Sequence, residues 1–197
     1  MQKPEIRTLF LERRQSLSPD ELHGLSQKIA DVFFESIDLA EVRVLHVFLP
    51  IQRLREIDSQ MILRRLWAGH PNIRTVVPRT NFESGELESV AIDDKTKVEQ
   101  NHWGISEPVD SAVVDSQLID IVLVPLLAFD RRGHRVGYGK GFYDRYLKTC
   151  RNDCSKVGLS LFAPIEQIEG TNDRDVILDS VVTPNGIYRY KPEAIQI

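Results

Sequence analysis

The chain has 197 residues, 42% hydrophobic and 27% charged, with 25 Lys plus Arg against 29 Asp plus Glu and a formal charge of −4. This is the balance of a soluble globular protein long enough to bury one real core, and its mild acidity excludes a global electrostatic pull toward nucleic acid. No apolar run approaches the ~20 residues of a membrane helix. The opening Met1-Gln2-Lys3-Pro4-Glu5 carries no apolar leader, and Cys150 and Cys154 lack the spacing of a redox or zinc pair. A reduced, cytoplasmic setting without membrane partners is expected.

The first ~38 residues read as two helices. Pro4 suits a helix start, with Ile6, Leu9 and Phe10 at helical spacing. Ser18-Pro19-Asp20-Glu21 has a capping box with proline in the first turn, and Leu22, Leu25, Ile29, Val32 and Phe33 then form one apolar stripe. Residues 42–49 are β-rich and stop at Pro50. A helix over about 58–67 and a strand over 73–77 ending at Pro78 follow. Residues 82–92, with Ser84-Gly85, suggest a hairpin at a sheet edge. Residues 121–127 are continuously apolar, as strands buried on both faces of a parallel sheet are. A glycine-rich loop, a helix over about 142–149 and a strand near 156–161 come next. Asn185-Gly186, between Val181-Val182 and Ile187-Tyr188, marks a two-residue hairpin. Alternating strands and helices predict an α/β protein with a mostly parallel, helix-covered sheet, one domain over 1–197 with the helical segment 1–38 packed on its core.

The stretch from Asp130 to Arg145 carries the chemical signal. Four of the chain's 11 glycines, at 133, 137, 139 and 141, fall within nine positions. Glycines let backbone amides approach a ligand closely, successive amides make an anion nest, and the next helix start adds positive potential. Arg135 and Lys140, with Arg131 and Arg132 nearby, supply full charges. The loop follows the most buried strand, where α/β sheets bind ligands. The pattern points to phosphate. It is neither a P-loop, since Gly141 follows Lys140 where Ser or Thr belongs, nor a dinucleotide fingerprint, since Phe142 stands where glycine is required.

Pro125-Leu126-Leu127-Ala128-Phe129-Asp130 followed by Arg135-Val136-Gly137-Tyr138-Gly139-Lys140-Gly141-Phe142-Tyr143-Asp144 closely resembles the signature of the 5-formyltetrahydrofolate cyclo-ligase (5,10-methenyltetrahydrofolate synthetase) family. In family order, Lys3 and Arg7 resemble its N-terminal Lys-x-x-x-Arg, Glu56-Ile57-Asp58 its acidic motif, Val77-Pro78-Arg79 its second strand end, Trp103-Gly104-Ile105-Ser106-Glu107-Pro108 its Trp segment, and Arg174 to Asp179 its C-terminal His-Asp-x-x-x-Asp. Leu126, Val136 and Arg174 depart from the family's usual Gly, Leu and His, and Arg53-Leu54 resembles an insertion before Glu56.

The resemblance implies a three-layer, Rossmann-like fold and an ATP- and Mg²⁺-dependent conversion of 5-formyltetrahydrofolate to 5,10-methenyltetrahydrofolate. It implies ATP contacts at Lys3, Pro4, Glu5, Ile6 and Arg7 and at Arg135, Val136, Gly137, Tyr138, Gly139, Lys140, Gly141, Phe142 and Tyr143, with Lys140 and Arg135 acting in catalysis. Folate contacts are implied at Leu49, Glu56, Trp103, Tyr138, Gly139, Lys140, Gly141 and Phe142, and metal ligation at Asp144 and Asp175. A monomer is expected. Two readings compete: a non-catalytic nucleotide- or RNA-binding relative, disfavoured by the acidic charge and the lack of a basic, aromatic-interleaved stripe, and another α/β phosphate enzyme needing neither ATP nor folate.

Overall fold

The computed structural model describes residues 1–81, 83–101 and 104–190. It opens with α1 (Lys3–Gln15) and α2 (Pro19–Ser36). The start of α2 follows its sequence. Ser18 Oγ accepts the Glu21 N–H at 3.2 Å and Glu21 Oε2 accepts the Ser18 N–H at 2.7 Å, so two orphan donors are satisfied reciprocally. Then come β1 (Val44–His46), α3 (Gln60–Gly69), β2 (Arg74–Asn81), β3 (Glu86–Ala91), β4 (Val98–Gln100), β5 (Ser106–Pro108), β6 (Val113–Val114) and β7 (Ile121–Pro125). The chain continues through β8 (Ala128–Phe129), β9 (Arg135–Val136), α4 (Phe142–Leu147), β10 (Ser155–Leu159), β11 (Ser180–Thr183) and β12 (Gly186–Arg189).

The main sheet runs β12-β11-β10-β7-β1-β2-β3-β6. Its centre, β11 to β2, is parallel, and antiparallel pairs close both flanks. β7 shows why its sequence is continuously apolar. Ile121 and Leu123 pack into the core under α2 and α3, while Val122 and Val124 face the opposite layer with Tyr146 and Leu147 of α4 and the buried, unbridged Cys150 and Cys154. The result is the expected three-layer, mostly parallel α/β architecture. α1 stands apart from the sheet: Ile6 and Phe10 pack on Leu127, Ala128, Val136 and Ile168, around the small β8–β9 ribbon. No helix among the described residues is long and apolar enough to cross a membrane.

Three expectations need correction. Pro78 does not end a strand: β2 runs through it to Asn81. Pro78 stands opposite Ser89 of β3, and two residues on, the Thr80 N–H turns away from β3 to the Glu107 carboxylate at 2.9 Å. The proline nitrogen therefore faces the side where β1 has already ended, and no ladder bond is lost. The apolar run 121–127 leaves the sheet at Pro125, and the glycine-rich stretch begins as the ordered β8–β9 hairpin rather than as open loop. The hairpin of 82–92 is β2–β3, but β6 covers its outer edge; Phe82 itself lies outside the described residues.

Gly158 of β10 lies beneath the point where the chain leaves β7. A Cβ there would sit 2.7 Å from Leu126 Cδ2 and 2.7 Å from Leu178 Cδ1. Gly158→Ala should therefore destabilise by about 1–3 kcal/mol through overpacking, read as a lower urea midpoint at unchanged m-value. An unchanged midpoint would contradict this packing.

Candidate active site

Open α/β sheets bind ligands beyond the carboxyl ends of their strands, where strand order reverses. Here the order proceeds one way from β1 through β2 and the other way from β7 through β10 and β11, so the reversal lies between β1 and β7. Two segments leave the sheet there: residues 47–58 after β1, and residues 126–141 after β7.

The second segment is held by Asp130, which is fully buried. Its Oδ1 accepts the N–H groups of Arg132 (2.9 Å) and His134 (3.0 Å), and its Oδ2 accepts the Ile168 N–H (3.0 Å). Beyond this anchored hairpin the glycines project. Gly139 and Gly141 have φ of +89° and +69°, and Gly141 precedes the first residue of α4. Gly137 is different. Its φ is ordinary and nothing lies within 4 Å of where a Cβ would stand, so neither backbone nor neighbours demand glycine; the open space beside it suits a close-approaching ligand.

Cations surround this loop. The Arg7 Nε–H donates to the Gly137 carbonyl at 3.0 Å, with its guanidinium 3.2 Å from where a Gly139 Cβ would be. Lys3 Nζ donates to both oxygens of Asp175, at 2.7 and 2.6 Å. Burial alone would raise the Asp175 pKa, but the Lys3 ammonium and the Asn172 N–H hold it below the usual carboxylate range. Lys140 is exposed, with no ion pair among the described residues. Arg135 is buried and donates to the Val176 carbonyl and, at 2.7 Å, to Asp144 Oδ1. Burial lowers its pKa, against the pull of neighbouring Asp144 and Asp175. Asp144 Oδ1 also accepts the Val176 N–H at 3.0 Å, while its Oδ2 accepts no hydrogen bond among the described residues.

No three His, Cys, Asp or Glu side chains converge as a metal cage among the described residues. Mg²⁺ needs only one or two carboxylates beside phosphate oxygens and water. Asp144 fits that use through its open Oδ2; Asp175 fits once Lys3 releases it. Arg174, the departure flagged beside Asp175, is exposed, and the cation on that carboxylate is Lys3.

Across the strand-order reversal, the Tyr138 hydroxyl donates to Glu56 Oε1 at 2.6 Å and accepts from Arg14 Nη1 at 2.7 Å, while the Ile51 N–H donates to Glu56 Oε2 at 2.7 Å. Below lies a polar cluster. The Tyr143 hydroxyl is 3.4 Å from His46 Nε2; His46 Nδ1 is 2.8 Å from Ser89 Oγ, which is 2.5 Å from the Tyr146 hydroxyl. Two surface depressions, of 470 and 560 Å³, lie instead at the amino ends of β1 and β2, lined by residues such as His70 and Ile73 and remote from this chemistry.

The structure thus brings Lys3, Arg7, Arg135, Tyr138, Asp144, Asp175 and Glu56 around one region. Three expected contact residues turn inward. Ile6, Val136 and Leu49 are core side chains; for Ile6 and Val136, 0% and 1% exposed, any ligand contact is a backbone contact. The Glu5 carboxylate caps its own helix through the Gln2 N–H at 3.0 Å, and Pro4 is an exposed first-turn residue. Phe142 stands beside Arg145, 5.4 Å from ring centroid to Cζ. Trp103 lies outside the described residues. The sequence reading missed Arg14 and His46, and quoted Asp130 within the signature without giving it a role. For Arg14 a signal existed: Ile6, Phe10 and Arg14 share one helical stripe, which puts a cation on an apolar face.

The reversal-point site on a helix-covered parallel sheet places the chain among ligand-binding α/β proteins. The family model for the 5-formyltetrahydrofolate cyclo-ligase family matches residues 1–184, and the chain belongs to that family. It is 42% identical over 183 residues to the 5-formyltetrahydrofolate cyclo-ligase of Mycoplasma genitalium, covering 91% of this chain and 96% of that one. Identity to the Escherichia coli K12 cyclo-ligase is 26% over 185 residues, 92% of this chain and 100% of that one. The solved structure of Aquifex aeolicus 5,10-methenyltetrahydrofolate synthetase superimposes with a TM-score of 0.82 at 26% identity, covering 100% of this chain and 97% of that one.

Burial pushes the His46 pKa down from 6.5 to about 3. Between those values the unfolded chain binds a proton that the native chain refuses, so the stability from neutral His46 is complete above 6.5 and is lost as pH falls toward 3. The loss should approach about 1.4 kcal/mol per pH unit, seen as a steeper acid decline of the urea midpoint in the wild type than in His46→Gln. Parallel declines would contradict a buried neutral histidine.

Proposed function

We propose that this chain uses ATP and Mg²⁺ to close 5-formyltetrahydrofolate to 5,10-methenyltetrahydrofolate, releasing ADP and phosphate. The observation that carries the reading is the Tyr138–Glu56 hydrogen bond, which sets a cation-lined glycine loop and a buried acceptor on adjoining walls of one site. A reaction joining a nucleotide to a pterin needs both walls together.

The chemical obstacle is the N-formyl oxygen, a very poor leaving group. In the proposed path this oxygen attacks the γ-phosphorus, an O–P bond forms, and the bond to the bridging β,γ oxygen breaks as ADP leaves. N10 then attacks the formyl carbon and loses its proton. The C–O bond breaks, and its electron pair departs with phosphate. Such a transfer is accelerated by positioning, by compensation of phosphoryl charge and by exclusion of water. Lys140, the exposed cation at the loop tip, is suited to follow the transferring phosphoryl group. Lys3 and Arg7 supply charge from α1, and Arg135, oriented by Asp144, supplies it from beneath. Backbone from Val136 to Gly141, with Tyr143, borders the nucleotide, and Glu56 accepts pterin N–H groups, with Tyr138 and Phe142 as aromatic surface beside it. Mg²⁺, when bound, supplies charge neutralisation across phosphate oxygens. Asp144 would hold it, joined by Asp175 as Lys3 turns to the nucleotide. A cytoplasmic monomer without nucleic-acid or membrane partners completes the proposal.

The test is to mix protein, 5-formyltetrahydrofolate and Mg-ATP and to follow the near-ultraviolet methenyl band and ADP together. Equal amounts of both products, absent without ATP or Mg²⁺, are expected; folded protein that forms neither would overturn the reading. Lys140→Ala should cost about a hundredfold or more in kcat with Tm unchanged, because the side chain is exposed. Gly137→Ala should leave Tm unchanged and weaken ATP binding in titration calorimetry, since the added methyl meets no protein atom but enters the space offered to phosphate. Equal ATP affinity in Gly137→Ala would remove Gly137 from the nucleotide site.

A further inference from the structure

Arg14 lies at the last turn of α1 and is only 3% exposed. Its Nη2–H donates to the Leu126 carbonyl at 2.7 Å and its Nη1–H to the Tyr138 hydroxyl at 2.7 Å, while its Nε has no partner among the described residues. A buried arginine with an unsatisfied donor is a poor device for stability alone.

Hydrogen-bond polarity gives it another use. A guanidinium only donates, so the Tyr138 oxygen must accept from Arg14, and its own proton goes to Glu56 Oε1, 2.6 Å away. Glu56 Oε2 already accepts the Ile51 N–H. Both carboxyl oxygens are thus acceptors, the pattern of the ionised form, in a residue only 6% exposed.

We propose that Arg14 is a positioning residue for the folate end of the site: through the Tyr138 hydroxyl it holds Glu56 as an anionic, fixed-direction acceptor for a ligand edge carrying adjacent N–H donors. The folate part of this inference rests on the function proposed above. An acceptor-only carboxylate favours the amino and ring N–H edge of a pterin and rejects a ligand presenting carbonyls there, because like lone pairs would be buried unpaired. The groups facing Glu56 are Arg14 from α1, Arg53 from its own turn, Tyr138 from the glycine loop and Tyr143 from α4. Burial pushes the Glu56 pKa up; the Tyr138 and Ile51 hydrogen bonds and the charges of Arg14 and Arg53 oppose that push.

The charge state can be read without any ligand. Infrared spectra of protein labelled with ¹³C-glutamate, minus those of Glu56→Gln, isolate the Glu56 carboxyl. In the wild type its carboxylate band should persist at neutral pH. In Arg14→Met the titration midpoint should rise, because a cation that favours the ionised carboxyl is gone, so that the protonated carbonyl band persists to higher pH than in the wild type before converting to carboxylate. Arg14→Lys should restore the wild-type spectrum. In parallel, Arg14→Met should bind 5-formyltetrahydrofolate more weakly than the wild type, the deficit closing as pH rises and Glu56 ionises, with ATP affinity unchanged. Identical Glu56 titrations in wild type and Arg14→Met would overturn the role of Arg14. If Arg14→Met does not fold, Tyr138→Phe breaks the same relay with Arg14 in place, and an unmoved Glu56 band there would overturn it equally. If the wild type binds no folate while the band still moves, the functional reading fails and the relay stands.

Discussion

The Tyr138 hydroxyl lies between a group that can only donate and a group that accepts, and this fixes the geometry around it. Arg14 brings α1, Glu56 brings the segment leaving β1, and Tyr138 brings the segment leaving β7. None of these segments is part of the sheet, yet all three meet where the strand order reverses. The sheet supplies the position, because two neighbouring parallel strands send their chains in opposite directions there. The hydroxyl closes the region, tying the glycine loop to the opposite wall.

A second constraint is charge. Two of the four cations around the loop are matched by the chain's own acids, Lys3 by Asp175 and Arg135 by Asp144. Such pairing keeps burial affordable, since an unmatched buried charge is far costlier than a pair. In the proposed reaction, a polyanion carrying a divalent cation would re-partner the first pair, phosphates attracting Lys3 and the metal attracting Asp175. Arg135 is the least free of these, locked on the Val176 carbonyl and Asp144 beneath the loop, so it acts as fixed background charge. Lys140 stands at the exposed tip.

Much of this was legible in the residues. The capping box at Ser18, the apolar stripe of α2 and the two-sided burial of β7 all state local physics that the fold obeys; the C-terminal hairpin forms as expected, but its two-residue loop is Pro184-Asn185, one residue earlier than the Asn185-Gly186 reading, with Gly186 opening β12 opposite Thr183. The glycine cluster identified the loop because its residues are chosen for backbone approach rather than packing. Less legible were features set by partners distant in sequence. Pro78 reads as a strand end, and only the early end of β1 makes it harmless inside β2. Ile6, Val136 and Leu49 sit within or near the motif segments, but their side chains were claimed by the core, which a motif cannot reveal. The Lys3–Asp175 pair joins residues 172 positions apart, and no local pattern announces it. Asp130 follows β8 and His46 ends β1, and their roles depend on Ile168, Ser89 and Tyr146 arriving from elsewhere.

The central claim is that the site sets the terminal phosphate of a nucleotide against the formyl oxygen of the folate. The most direct measurement uses substrate carrying ¹⁸O in the formyl group, a single turnover with Mg-ATP, and mass spectrometry of the released phosphate. The account predicts that the labelled oxygen leaves in phosphate, one atom for each methenyl product formed. Methenyl product accompanied by unlabelled phosphate, with the label in water, would contradict it.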